Sequence, residues 1–147
     1  MGNTLTDTCL RASWQSGSDS NQGVEVKNLW QIKVKNIDNE EKVLGDYMKN
    51  KKCMIIVNVA SKCPFAKKYF QSLTNLYQIY EPYGLQIVAF PCNQFRNQEH
   101  QMNHQIKKTV KQKYKVEFPI MDKVLVNGPE THDVFKYLRS NTKELIS

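Results

Sequence analysis

The 147-residue sequence contains no Cys-x-x-Cys pair, and its four cysteines (Cys9, Cys53, Cys63 and Cys92) are too few for a disulfide scaffold of this length. No apolar run approaches the roughly 20 residues of a membrane-spanning helix. The N-terminus has no apolar core of the secretory kind, and Asp7 and Asp19 count against a transit peptide. A reducing, cytoplasmic setting is therefore expected. No zinc-type spacing or nucleic-acid motif occurs, so no nucleic-acid partner is expected. His100, His104 and His132 include an i, i+4 pair but no third ligand nearby, so no metal site is expected. Acidic residues are the scarce charge, 14 against 21 Lys and Arg, which leaves a formal charge of +7. That excess suits anionic partners, or simply keeps exposed helix faces solvated. There is no internal repeat and no coiled-coil heptad. The length fits one domain with its own core.

Residues 1–26 are rich in Ser, Thr, Asn, Gly and Asp without periodicity, and read as a flexible tail ahead of a domain spanning 27–147. The first six residues match the Met-Gly-x-x-x-Ser/Thr acylation pattern through Gly2 and Thr6. Cys9 stands where a second acyl chain would attach, and one myristoyl chain alone anchors only marginally. A tether to a membrane and a chance match in a polar tail are both open readings.

From Leu29 the pattern is strand-like, with Trp30, Ile32 and Val34 alternating with polar residues. Asn36 to Glu41 reads as a turn, and Leu44 to Met48 as a short helical turn. Met54 to Val59 is a continuous β-branched run, the mark of a strand covered on both faces. Phe65, Tyr69, Leu73, Leu76, Tyr77 and Tyr80 then recur at three- and four-residue spacing, predicting an amphipathic helix with this stripe in the core. Pro82 and Gly84 end it, and Leu85 to Phe90 forms a second buried strand. Strand, helix, strand in so short a span is a βαβ unit of an α/β fold. Met102, Ile106, Val110 and Tyr114 mark another helix, Val124 to Val126 a short strand, and Val134, Phe135 and Leu138 a last helix.

In an open α/β sheet, ligands bind beyond the carboxyl ends of the strands. Cys63 lies at one such end, and Cys92, Asn93 and Gln94 at the next. Pro64 suits the first helical position, which would put Cys63 at or beside the N-cap, where unsatisfied N–H groups favour an anion. Lys62, Lys67 and Lys68 push the same way. On these local features a reactive thiolate and a packed structural cysteine both remain open, and Cys92 reads as packed.

"VNVASKC" at 57–63, "GLQIVAFPCNQF" at 84–95 and the "QE" at 98–99 closely resemble the glutathione peroxidase family. So do "WQIKVKNIDNEEKVLGDY" upstream, and "KYKVEFPIMDKVLVNG" and "FKYL" downstream, and the likeness runs from residue 29 to about 139. The resemblance implies a thioredoxin-like fold and a cysteine at the position of Cys63 that attacks a peroxide and becomes a sulfenic acid. It implies that Gln98 is the glutamine partner, with Asn93 and Gln94 in the surrounding signature as site or loop-holding residues. It implies no resident cofactor. Peroxide is the substrate, and glutathione or thioredoxin the reducing co-substrate, with Lys111 at the place where thioredoxin-using members often carry a resolving cysteine.

The sequence departs from the family's pattern at several points. No "WNF" motif follows before Ser147, and Trp14 and Trp30 do not match it. Pro64 replaces the usual Gly after the reactive cysteine, Arg96 the usual Gly of "NQFG", and His100-Gln101 the usual Pro-Gly. The C-terminal hairpin and helix of the family are accordingly expected to be missing. The outer edge of the 54–59 strand would then be bare, open to another protein chain within a larger assembly. The lead expectation is a thiol-dependent peroxidase of hydrogen peroxide or organic hydroperoxides. The alternative is a catalytically impaired structural or interaction subunit, and a lipid-tethered redox sensor is a third reading.

Overall fold

In the computed structural model, residues 28–142 are described; the tail reading, Gly2 and Cys9 lie outside them. The strands are β1 (Lys33–Lys35), β2 (Glu41–Val43), β3 (Cys53–Val59) and β4 (Leu85–Pro91). The helices are α1 (Ala66–Tyr80), α2 (Asn103–Tyr114) and α3 (Asp133–Asn141). β1 and β2 form an antiparallel ribbon turned at Asn36 to Glu40, where the Asn36 side chain accepts from the N–H groups of Asp38 and Glu40. β3 and β4 pair in parallel across α1, with Cys53 opposite Leu85 and Val59 opposite Pro91. This is the expected βαβ unit, and the chain is α/β.

Because alternate strand residues face opposite sides, this two-stranded sheet carries a core on each face. Ile87 and Ala89, with Ile55, Val57 and Val59, pack against Phe70 of α1, Ile106 and Val110 of α2, and Phe118. Val88 and Phe90, with Met54 and Ile56, pack against Ile32, Val34, Leu44, Met121 and Val134. Phe70, Phe90 and Phe118 are essentially sealed from solvent. Each such ring contributes on the order of 2 kcal/mol by burial.

Several expectations are corrected. The strand-like reading of Trp30 fails: Leu29–Gln31 is a turn of 3-10 helix, started by the Asn28 side chain accepting from the Trp30 N–H, and pairing begins only at Lys33. Val124 to Val126 forms no strand, because the Val126 N–H is taken by the side chain of Gln94. β4 is buried as expected, but β3 is only half-buried along its length, since β4 is its one strand partner among the described residues.

The stripe of α1 holds in the middle, where Leu73, Leu76 and Tyr77 pack against the core, and is corrected at its two ends. Ala66, Phe70 and Thr74 face the core, while Phe65 (62% exposed), Tyr69 (62%) and Tyr80 (50%) face solvent. Phe70 stacks on Tyr114 with centroids 4.8 Å apart, and the Thr74 hydroxyl donates to the Tyr114 carbonyl, so a polar residue takes the place expected of an apolar one.

His132 starts α3: its Nδ1 accepts from the Val134 N–H at 3.2 Å, with the ring against Phe90. Burial lowers its pKa below 6.5, with Lys136 acting in the same direction and Asp133 and Asp122 opposing it. The unfolded chain therefore takes up this proton first, and stability is lost as pH falls from about 6.5 through the folded value. Protonation also removes the acceptor that caps the helix. The urea midpoint of the protein is expected to fall between pH 7.5 and pH 5, and to fall by less in His132→Asn, which keeps a cap without the titration.

Candidate active site at the strand tips

The carboxyl ends of β3 and β4 are stitched together where the Cys92 N–H donates to the Val59 carbonyl at 2.9 Å. Two loops leave from there, 60–65 carrying Cys63 and 92–99 carrying Asn93, Gln94 and Gln98. They are bolted to each other. The Lys62 N–H donates to the Gln98 carbonyl at 3.1 Å, one residue from Cys63. Beside it, the carboxylate of Glu99 accepts from both the N–H and the hydroxyl of Ser61, the latter at 2.7 Å. Glu99 is 0% exposed, and burial of a carboxylate is tolerable only with such donors. From α2, the Tyr114 hydroxyl donates to the Ser61 carbonyl at 3.2 Å. Ser61 is thereby held by its N–H, its side chain and its carbonyl.

Cys63 is half-buried with a free thiol and touches the core on the α1 side of the sheet. It does not sit at the helix N-cap. The first helical residue is Ala66 and the capping position is Phe65, so Pro64 is not the first helical residue. The cause is an extra pair of turns. The Cys63 N–H donates to the Ala60 carbonyl at 3.3 Å, and the Cys63 carbonyl accepts from the Ala66 N–H at 2.9 Å, which carries the chain two residues further before the helix begins.

Gln98 is half-buried, and its side-chain amide has no hydrogen-bond partner among the described residues. Asn93 braces its own loop: Oδ1 accepts from the Glu99 N–H at 2.8 Å, and Nδ2 donates to Asn97. Gln94 spans to the 126–127 loop, where Oε1 accepts from the Val126 N–H at 2.7 Å and Nε2 donates to the Asn127 carbonyl at 2.8 Å. Cys92 is buried, with its thiol donating to the same Gln94 oxygen. Sequence reasoning missed Ser61 and Glu99 as the central bolt. Both lie inside the quoted motifs, but a glutamate ordinarily reads as solvent-facing. Among the described residues no group of three or more His, Cys, Asp or Glu side chains is placed to hold a metal.

Arg96 and Asn97 both adopt left-handed backbone, φ 53° and 54°. Asn tolerates this region, whereas a long side chain such as Arg pays roughly 1–2 kcal/mol for it. Arg96→Gly is expected to stabilise the protein by about 0.5–1 kcal/mol, after the extra freedom of glycine in the unfolded chain is subtracted. Urea denaturation measures it, and an unchanged or lower midpoint would show that the loop is not strained there.

Residues 29–139 match the family model described as glutathione peroxidase. Phospholipid hydroperoxide glutathione peroxidase 1, chloroplastic, of Arabidopsis thaliana is 43% identical over 115 residues, covering 78% of this chain and 48% of that protein. The chain spans about half the length of several of the curated relatives it matches. Among solved structures, Trgpx in apo form aligns with a TM-score of 0.61 at 29% identity, over 80% of this chain and 67% of that one. A thioredoxin from Wuchereria bancrofti aligns at 0.52 with 17% identity, over 80% of this chain and 73% of its own, a likeness of fold alone. No described helix is long and apolar enough to cross a membrane. With a thioredoxin-like core, paired strand-tip loops and a family match over most of its length, the chain belongs to the glutathione peroxidase family.

Proposed function

We propose that the chain is a thiol-dependent peroxidase acting through Cys63, with hydrogen peroxide or organic hydroperoxides, phospholipid hydroperoxides included, as substrates. The supporting observation is the bolt between the two loops: Lys62 to Gln98 and Ser61 to Glu99 hold the thiol's loop and the glutamine's loop in one fixed unit. The family membership and the names of its plant relatives support the same reading.

In this mechanism the Cys63 thiolate attacks one peroxide oxygen. The O–O bond breaks, the leaving oxygen takes up a proton as water or alcohol, and Cys63 becomes a sulfenic acid. The uncommitted amide of Gln98 is the donor to the departing oxygen. Such donors carry the rate, because they act where charge develops, and each is typically worth about 10² to 10³. Lowering a thiol's pKa from about 8.5 to about 6 multiplies its thiolate at pH 7 roughly thirtyfold, yet a Brønsted coefficient near 0.45 removes about thirteenfold of that in nucleophilicity. A reducing thiol then attacks the sulfenic sulfur, releasing water and leaving a mixed disulfide. A second thiol attacks that disulfide and frees Cys63. Glutathione serves as this thiol, and Lys111 at the resolving position weighs against a thioredoxin route.

The test is peroxide consumption by the purified chain with glutathione, together with trapping of the Cys63 sulfenic acid by a dimedone-type reagent. Turnover above the thiol-only rate and an adduct on Cys63 are expected. Absence of both overturns the proposal.

A further inference from the structure

We infer that Tyr114 is a positioning residue for the Cys63–Gln98 pair, acting through the peptide group that joins Ser61 to Lys62. The inference deepens the peroxidase reading. It rests on that reading for what the pair does, and not for how the pair is held.

Cys63 and Gln98 stand on separate loops, and a direct bond between those loops runs through this one peptide group. Its N–H, on Lys62, donates to the Gln98 carbonyl at 3.1 Å. Its carbonyl, on Ser61, accepts from the Tyr114 hydroxyl at 3.2 Å. A peptide group is planar, so its two polar ends turn together, and a tilt that releases one bond misaims the other. An N–H also donates more strongly when the carbonyl of its own group is bonded. The orientation of this plane sets where the next residue, Cys63, stands against Gln98.

Tyr114 can fix the plane because its own ring is fixed. It ends α2, is 5% exposed, and stacks on Phe70 of α1 with centroids 4.8 Å apart and planes 8° from parallel. Its carbonyl accepts from the Thr74 hydroxyl of the same helix. The residue thus braces the reactive loop on both sides, at Ser61 before Cys63 and at α1 after it. Packing does not need the phenolic oxygen, since a phenylalanine would fill the same place among Ile106, Val110 and Phe118. A buried hydroxyl is costly unless bonded, and its one bond among the described residues goes to this loop. Glu99 holds Ser61 by its N–H and side chain, neither of which belongs to the 61–62 peptide group, so the two fastenings are separate.

Tyr114→Phe in the full chain removes that oxygen alone. Three quantities are read: oxidation of Cys63 by hydrogen peroxide, alkylation of Cys63 by iodoacetamide, and exchange of the Lys62 amide by NMR. Oxidation is expected to slow about tenfold, since a shift near 1 Å at a reacting centre can cost about 10²-fold. Alkylation should change by less than about twofold, because it needs the thiolate but no donor to a departing oxygen. Lys62 exchange should quicken about fivefold, the effect of one weakened hydrogen bond. In a Gln98→Ala background the tyrosine substitution should slow oxidation no further. Tyr77→Phe, a hydroxyl deletion packed against the same core, should leave all three unchanged. Oxidation and alkylation slowed equally would mark general damage to the loop and overturn the inference, as would an unchanged Lys62 exchange. A wild type whose Cys63 meets peroxide no faster than a free thiol overturns the peroxidase reading alone. Quickened Lys62 exchange in Tyr114→Phe would then still uphold the positioning.

Discussion

If the proposed mechanism holds, Cys63→Ser is expected to bring peroxide consumption with glutathione down to the rate of glutathione alone. A serine hydroxyl is not ionised at neutral pH and forms no sulfenic acid, so the first step of the proposed cycle would have no nucleophile. Cys92 does not substitute for it, being buried with its thiol engaged by Gln94. The variant is also a clean probe. Cys63 is half-buried at the margin of the core, and its backbone N–H and carbonyl rather than its sulfur hold the turn. A change in stability of less than about 1 kcal/mol is therefore expected, so that lost activity is not lost folding. Stopped-flow or coupled assays of both proteins at equal concentration measure the difference. Equal rates would mean that the sulfur is a bystander.

Glu99→Ala is expected to cost about 3 kcal/mol or more. The substitution strands the N–H and the hydroxyl of Ser61 in a site that water does not reach, and each buried unsatisfied group costs about 1–3 kcal/mol. Against a total stability of roughly 5–15 kcal/mol this is a large fraction. Glu99→Gln should be milder, because its carbonyl oxygen still accepts one of the two bonds while its amide hydrogens confront the other donor. Urea midpoints at fixed pH separate the three proteins. An unchanged midpoint for Glu99→Ala would show that the bolt is not holding the loops.

The central βαβ unit was legible because its strands are uninterrupted β-branched runs and the helix between them has a strong three-to-four spacing. The phase of that helix was legible at Leu73, Leu76 and Tyr77 but not in its first turn. Tyr69 and Phe70 are adjacent, and only the stacking of Phe70 on Tyr114 from a distant helix decides which one turns inward. Thr74 is a similar case, since its burial depends on a carbonyl forty residues away. Around the site, the loops themselves could be placed from the motifs, and so could Cys63 and Gln98 within them. Their fastenings could not. Gln94, an exposed side chain, is consumed by three bonds to residues 126 and 127, and Glu99 is taken into the interior by one serine. The start of α1 was misplaced because a proline suits both a first helical position and a preceding turn, and here the turn wins.

The 126–127 loop is gripped from two sides, by Gln94 from the strand-tip loop and by the Arg139 guanidinium from α3, which donates to the Val126 carbonyl and to Asn127. One corner of the strand-tip site is thus propped from the last described helix. Its stiffness is borrowed: slackening in the last turn of α3 would reach Gln94 of the signature through Val126 and Asn127, without passing through the strands.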